Sequence, residues 1–137
     1  MTVEYTIPIR VYYEDTNAVE IVYYGNYLRF MERRRTEWLR HIGFDIHSVT
    51  EHFGVIPAAQ SAKLRFLKPI RLSDLLSVSM AIERCGRASL QIRQEIHCGE
   101  ERLFHGVVKL AILDATRFRP RPIPYEILEG INTWKMP

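Results

Sequence analysis

Cysteine is scarce in this chain, and it lacks both a long apolar run and a strong excess of one charge. Only two cysteines occur in 137 residues. Cys85 lies at the turn of a predicted hairpin and Cys98 near its open end, so a disulfide framework is not expected. No apolar run approaches the roughly 18 residues that a membrane span needs. The first residues lack a basic segment followed by an apolar core, so no signal peptide is expected and a cytoplasmic location is predicted.

The charge balance is too weak to indicate nucleic acid as a partner, and the lack of a long apolar run gives no reason to expect a membrane. The net charge is +3 and the pI is about 9.0, but basic residues are interleaved with acidic ones instead of forming a run. A small anionic ligand or an acidic protein partner remains compatible with this balance. The five histidines are scattered, so neither a metal site nor another cofactor is expected.

The apolar pattern predicts one α+β domain over residues 1–137. Residues 4–13 are predicted as the first strand, and residues 26–43 as a helix with Asn26 and Gly43 at its ends. The remaining elements are a short helical connection, four strands in a meander and one terminal helix, over residues 45–54, 57–68, 75–84, 90–96, 103–113 and the proline-rich tail. One long helix wrapped by a five-stranded antiparallel sheet satisfies the burial needs of both.

The predicted helix carries a charge within its apolar face. The residues on that face are Leu28, Met31, Arg35, Trp38 and Ile42. Arg33 and Arg34 fall toward the polar face and are expected in solvent. A buried guanidinium needs partners, so two hypotheses stand for Arg35. It either reaches solvent or pairs with a carboxylate such as Asp15 or Glu14, or it lines a site where negative charge develops.

The most specific motif is residues 12–27, YYEDTNAVEIVYYGNY. This segment resembles the signature loop of the 4-hydroxybenzoyl-CoA thioesterase and YbgC-like hotdog family, Asp-x-Asp-x-x-Gly-hydrophobic-Val-aromatic-aromatic-x-Asn-Tyr. The resemblance continues through the Arg- and Glu-rich residues 31–39 and the Pro-x-x-x-x-Asp turn at residues 69–74. It implies the hotdog fold and a thioester hydrolase that needs no cofactor.

Two positions depart from the family pattern. The glycine of the motif is Glu20, and its second aspartate, usually the nucleophile or general base, is Asn17. A neutral amide cannot usefully take a proton from water, so the ordinary family mechanism does not carry over. The hotdog thioesterases of enediyne polyketide biosynthesis also lack this acid. They pair a loop asparagine with an arginine of the central helix, which Asn17 and Arg35 resemble.

The resemblance gives candidate catalytic roles to Asn17, Arg35 and Tyr24. Asn17 would hold the carbonyl or the attacking water, Arg35 would stabilise developing negative charge, and Tyr24 occupies the position of the oxyanion donor. The implied substrate is a β-ketoacyl polyene thioester on the acyl carrier protein of an iterative polyketide synthase, or an acyl-CoA. Candidate residues for binding the substrate and its pantetheine arm are Tyr27, Lys63, Arg65, Lys68 and Arg71. The four basic residues among them equally fit a solvated strand face.

Two other functions fit the sequence. One is a general YbgC-like acyl-CoA thioesterase in which Asp15 or Glu20 serves as the base. The other is a non-catalytic hotdog protein that binds an acyl chain or its carrier. For any of these functions, a lone five-stranded sheet would leave an exposed edge and an incomplete site. A homodimer that doubles to a homotetramer is therefore predicted.

Overall fold

One long helix lies against a five-stranded antiparallel sheet in the structure, a computed structural model that describes residues 5–135. The elements in chain order are β1 (Tyr5–Arg10), α1 (Tyr24–His41), α2 (Ile46–Phe53), β2 (Val55–Phe66), β3 (Leu75–Cys85), β4 (Ser89–Cys98), β5 (Glu101–Asp114) and α3 (Tyr125–Lys135). The predicted α+β class and hotdog arrangement are confirmed. Glu4, predicted to begin the first strand, lies outside the described residues.

The strand order corrects the predicted meander. The order across the sheet is β1-β3-β4-β5-β2. Strands β3, β4 and β5 pair in sequence, as a meander requires, but β2 pairs with β5 at the far edge and not with β3. The alternation of apolar residues determines which side chains share a face, but it does not determine which strands become neighbours. The prediction was therefore wrong for β2.

The buried face of α1 differs from the predicted one. Its buried residues are Asn26, Tyr27, Phe30, Met31, Arg34 and Trp38. Arg34 is 0% exposed, whereas Leu28 is 44% exposed, so both predictions for these residues were wrong. Arg34 lies one turn after Met31 and one turn before Trp38, in the middle of the contact face. Because arginine is polar, the pattern of apolar residues did not predict that Arg34 would be buried.

The two ends of α1 also differ in how well they were predicted. Asn26 does not cap the helix, because α1 begins at Tyr24 after an N-cap at Tyr23. The buried Asn26 side chain instead donates from Nδ2 to the backbone oxygen of Asp15 at 2.8 Å. The predicted end is confirmed, since Gly43 follows the C-cap with a φ of +102°, the conformation that favours glycine. No helix within residues 5–135 is long and apolar enough to cross a membrane.

Gly106 allows α1 to lie close to β5. A Cβ atom at this position would lie 3.0 Å from Leu64 Cδ2, 3.2 Å from Met31 Cε and 3.3 Å from Phe104 Cζ. Met31 and Phe104 are fully buried, so neither can move into solvent to make room. In the β4–β5 register Gly106 is paired with Gln94. A residue without a side chain at 106 therefore leaves space for the Met31 side chain of α1.

Gly106→Ala should lower the free energy of unfolding by about 1–3 kcal/mol, because the added methyl group overpacks the contact between α1 and the sheet. Urea unfolding followed by circular dichroism measures the change. Gly25→Ala is the matched control. Its Cβ would lie 3.7 Å from the nearest atom, an ordinary contact in the first turn of α1, and alanine favours helix. Equal stability of Gly106→Ala and the parent would contradict the prediction.

Candidate active site

The loop around Asn17 is closed by its own hydrogen bonds. The Asn17 N–H donates to the Ile21 oxygen at 2.9 Å, and the Glu20 N–H donates to the Asn17 oxygen at 3.0 Å. The Asn17 side-chain Oδ1 accepts from the N–H groups of Val19 at 3.0 Å and Ile21 at 3.2 Å. The side-chain oxygen is therefore used by the loop. The group that Asn17 can offer to a substrate is its Nδ2, which only donates.

Glu20 and Asp15, the two alternative bases, lie in different environments. Glu20 is exposed and has a φ of +60°, a left-handed conformation that the motif's glycine adopts without strain. Its backbone oxygen accepts from the Leu72 N–H at 3.0 Å, which holds the loop in place. Asp15 is buried, and its Oδ2 accepts from the Tyr12 N–H at 2.8 Å. Asp15 therefore shapes the turn before the loop, while the Glu20 carboxylate is exposed.

Tyr24 and Tyr27 lie at the start of α1 beside an aromatic cluster. The Tyr24 ring is 71% exposed and lies 4.7 Å from the Phe66 ring centroid. The Tyr27 ring is buried, 4.9 Å from Phe66 and 5.1 Å from Phe104. Burial raises the pKa of Tyr27, although a hydrogen bond with the Ile70 backbone lowers it in part. Of the two predicted tyrosines, Tyr24 is the one that a ligand can reach from solvent.

Arg35 is half-buried and contacts a neutral amide. Its Nη1 donates to Gln94 Oε1 at 2.9 Å, and Gln94 Nε2 donates to the Met31 backbone oxygen at 3.0 Å. Burial lowers the pKa of Arg35, while the nearby charge of Glu32 raises it. The guanidinium still stays protonated at neutral pH. The hydrogen-bond partner is thus Gln94 on β4, and the hypothesis that Asp15 or Glu14 fills this role was wrong.

An apolar cavity of about 480 Å³ lies between α1 and the sheet, with Arg35 in its wall. Its polar lining residues are Glu32, Arg35 and Thr36, and the other lining residues are apolar side chains of α1, α2, β2, β4, β5, α3 and the segment before α3. Residues Ile127 and Ile131 of α3 form part of the wall. The volume falls within the range of roughly 300–1,000 Å³ typical of small-molecule sites. The cavity can hold an aliphatic or polyene chain beside one cationic group.

The four predicted basic residues do not form one cluster. Lys63 and Arg65 alternate with Leu64 and Phe66 on β2, so they lie on the sheet face away from α1. Beyond β2, the Lys68 Nζ donates to Glu101 Oε2 at 2.8 Å. Arg71 is also exposed. Their positions agree with a solvated face, and a ligand phosphate could reach them only outside the cavity.

The predicted catalytic residues lie at two separate places in one chain. Tyr24 and Arg35 are about 16 Å apart along the axis of α1, at a rise of about 1.5 Å per residue. The loop with Asn17 precedes the Tyr24 end, whereas Arg35 lies beside the cavity. Within residues 5–135, no group of three or more His, Cys, Asp or Glu side chains could hold a metal ion.

Gln94 was missed by the sequence analysis, although a signal for it exists. The residues of β4 that face α1 are Leu90, Ile92, Gln94 and Ile96, all buried. A single polar residue in an apolar alternation is the same kind of anomaly that identified Arg35. Each residue is the other's partner, which neither local pattern could reveal because they are far apart in sequence.

Comparisons with known proteins agree with this architecture. Residues 20–105 match the family described as Thioesterase superfamily. The chain is 31% identical over 131 residues to the acyl-CoA thioesterase YbgC of Haemophilus influenzae, with 96% of each chain covered. It is 34% identical over 122 residues to the acyl-CoA thioester hydrolase YbgC of Escherichia coli, covering 88% of this chain and 90% of that one. A probable thioesterase from Bartonella henselae has a TM-score of 0.85 at 29% identity, covering 89% of this chain and 100% of that one.

Asn17→Ala should destabilise the protein by about 1–2 kcal/mol, because two loop N–H groups lose their acceptor. Asn17→Asp keeps an oxygen in that place and should unfold at nearly the parent temperature. Thermal unfolding of both variants measures the difference. Asn132→Ala, an exposed asparagine of α3, controls for the loss of a surface amide. If Asn17→Ala and Asn132→Ala unfold alike, the loop does not depend on Oδ1.

Proposed function

The chain belongs to the thioesterase superfamily, and from this membership we propose that it hydrolyses acyl-CoA thioesters whose acyl chain is buried in the apolar cavity. The observation that carries the proposal is the cavity of about 480 Å³ with one guanidinium in its wall. The names of the YbgC relatives support coenzyme A as the thiol. Release of free thiol from a panel of acyl-CoAs of increasing chain length tests it. No turnover of any of them would reject the proposal.

The proposed mechanism relies on hydrogen-bond donors instead of a carboxylate base. Water adds to the carbonyl carbon, the C–S bond breaks, and the departing thiolate takes the proton that the water releases. Backbone N–H groups at the start of α1, including that of Tyr24, have no partner inside the helix and can bind the oxyanion. The Asn17 Nδ2 can hold the carbonyl or the water. Loss of the base costs on the order of 10²–10⁴ in rate, so an activated thioester suits this site best.

A second candidate substrate is the β-ketoacyl thioester of an iterative enediyne polyketide synthase, bound to its acyl carrier protein. The observation that favours it is an asparagine in place of the motif's aspartate together with an arginine that contacts a neutral amide. A β-ketoacyl thioester is more electrophilic than a saturated one, which offsets the missing base. Arg35 could stabilise the negative charge that develops on its oxygens. The β-keto acid released could then lose carbon dioxide unaided.

A homodimer would complete the site. Tyr24 lies about 16 Å from Arg35 along α1, and Asn17 is in the loop before the Tyr24 end of that helix. Within one chain, Asn17 and Tyr24 are therefore separated from Arg35. The edge strand β2 is 12 residues long and mostly exposed, and its free backbone groups can pair with the same strand of a second copy. Such pairing would place the loop of one protomer near the cavity of its partner. Two such dimers would form the predicted homotetramer.

Arg35→Ala should remove about 2–4 kcal/mol of transition-state stabilisation, the value of one lost oxyanion donor. The variant should stay folded because it removes a half-buried charge, but the buried Gln94 Oε1 loses its donor, which should cost about 1–3 kcal/mol of stability. Steady-state kinetics on a β-ketoacyl thioester measures the loss. Arg33→Ala, an exposed arginine of the same helix, is the matched control and should keep the parent rate. Full activity of Arg35→Ala would make this arginine a structural residue.

Asn17→Asp separates the two candidate substrates. If the proposed dimer brings the neutral Asn17 amide of one protomer near Arg35 of its partner, the added negative charge should give at best a small gain on a β-ketoacyl thioester. If the chain is instead an ordinary thioesterase that has lost its catalytic acid, the variant should gain orders of magnitude in kcat/KM on saturated acyl-CoAs, because the motif's carboxylate is restored. Measuring kcat/KM of the parent and the variant on both substrates distinguishes them. Asn17→Ala, assayed alongside, shows how much activity the amide supplies.

The protein should be at least a dimer at micromolar concentration, because the β2 edge and the divided site both need a second copy. Light scattering coupled to size-exclusion chromatography measures the mass directly. A mass of 16.1 kDa, that of one chain, would contradict the dimer and with it the shared site.

A further inference from the structure

Gln94 is a buried polar residue among apolar neighbours on β4. The other residues of this strand that face α1 are Leu90, Ile92 and Ile96, and Gln94 itself is 0% exposed. A buried amide destabilises a fold unless its hydrogen bonds are made. Gln94 makes them with α1 across the core, so this position links the sheet to the helix that carries Arg35.

The two hydrogen bonds of Gln94 fix the orientation of its amide. Its Nε2 donates to the Met31 oxygen at 3.0 Å, and its Oε1 accepts from Arg35 Nη1 at 2.9 Å. A backbone carbonyl can only accept, so the amide nitrogen must face Met31 and the amide oxygen must face Arg35. Gln94 thereby ties the guanidinium to a point one turn earlier on the same helix.

The amide holds the guanidinium without cancelling its charge. A carboxylate at position 94 would form a salt bridge with Arg35 and neutralise it within the cavity wall. The charged residues that line the cavity, among those described, are Glu32 and Arg35, and Glu32 is exposed. The Gln94 bond uses one N–H of Arg35 and leaves other N–H groups of its fixed fork for a ligand.

We propose that Gln94 is the positioning residue for Arg35. It holds the guanidinium in the cavity wall so that the free N–H groups meet an oxygen of the bound acyl thioester as negative charge develops there. The inference rests on the proposed thioester hydrolysis. It extends that function to a residue that touches no substrate and acts only through Arg35.

Gln94→Met tests this role, because methionine fills a similar volume but cannot hold a guanidinium. We expect kcat to fall about 10- to 100-fold, approaching the loss expected for one oxyanion donor, with little change in KM. The double variant Arg35→Ala/Gln94→Met should be no slower than Arg35→Ala alone, since both changes remove one interaction. Gln91→Met is the matched control. Gln91 lies on the opposite face of β4, where its Nε2 donates to Glu83 at 3.3 Å, so kcat should not change.

Gln94→Glu provides a second readout, taken over a pH range in which circular dichroism shows the variant folded, so that a change in folding does not enter kcat. At neutral pH the introduced carboxylate cannot donate to Met31 and pairs with Arg35, so kcat should be low. Protonation makes the carboxyl group a neutral donor and acceptor like the amide. The ratio of variant to parent kcat should therefore rise as the pH falls through the pKa of the introduced group. This pH profile tests the inference even if Gln94→Met does not fold.

The outcomes separate this inference from the function on which it rests. A parent protein that releases no thiol from any acyl thioester overturns both. An active parent overturns the positioning role alone if Gln94→Met keeps the parent kcat, or if its loss multiplies with that of Arg35→Ala. A Gln94→Glu variant whose pH profile matches that of the parent would also overturn the positioning role of Gln94.

Discussion

The contact of α1 with the sheet at Met31 determines how the rest of the structure is arranged. Gly106 leaves room for the Met31 side chain. Gln94, which is paired with Gly106 in the β4–β5 register, donates to the Met31 backbone oxygen. One contact thus combines a close apolar approach with a buried amide whose nitrogen and oxygen are both hydrogen-bonded. Sliding α1 by one residue would lose the hydrogen bond and overpack β5, so the register of helix on sheet is fixed. The position of Arg35 beside the cavity follows from that register.

Periodicity in the sequence was sufficient to predict where most helices and strands lie, but not which strands pair with each other. The alternation in β3 and β4 reflects which side of each strand is buried, which is a local property. The spacing in α1 predicted a helix but not its correct buried face. The pairing of β2 with β5 depends on the path of the whole chain. Arg34 shows a related limit, since its burial depends on what lies opposite α1 and not on its own polarity.

The motif loop shows what a residue-by-residue resemblance can and cannot supply. It identified Asn17 as a departure from the family's acid, and the left-handed conformation of Glu20 explains why a glycine suits that position. It could not indicate that the Asn17 oxygen is taken up by Val19 and Ile21. The chemistry left to the residue depends on which of its atoms the loop has already used. Only the folded loop provides that information.

The wall that α3 contributes to the cavity has a consequence for how such enzymes diverge. Trp134 of α3 stacks edge-on against Trp38 of α1 at 5.9 Å, and Ile127 and Ile131 line the cavity. The size of the cavity is thus partly set by α3, while Arg35 and the loop lie on earlier segments. Under the proposed function, α3 would limit the length of acyl chain that the cavity accepts. Substitutions in α3 can then change the preferred chain length during evolution without disturbing the residues proposed to perform the chemistry.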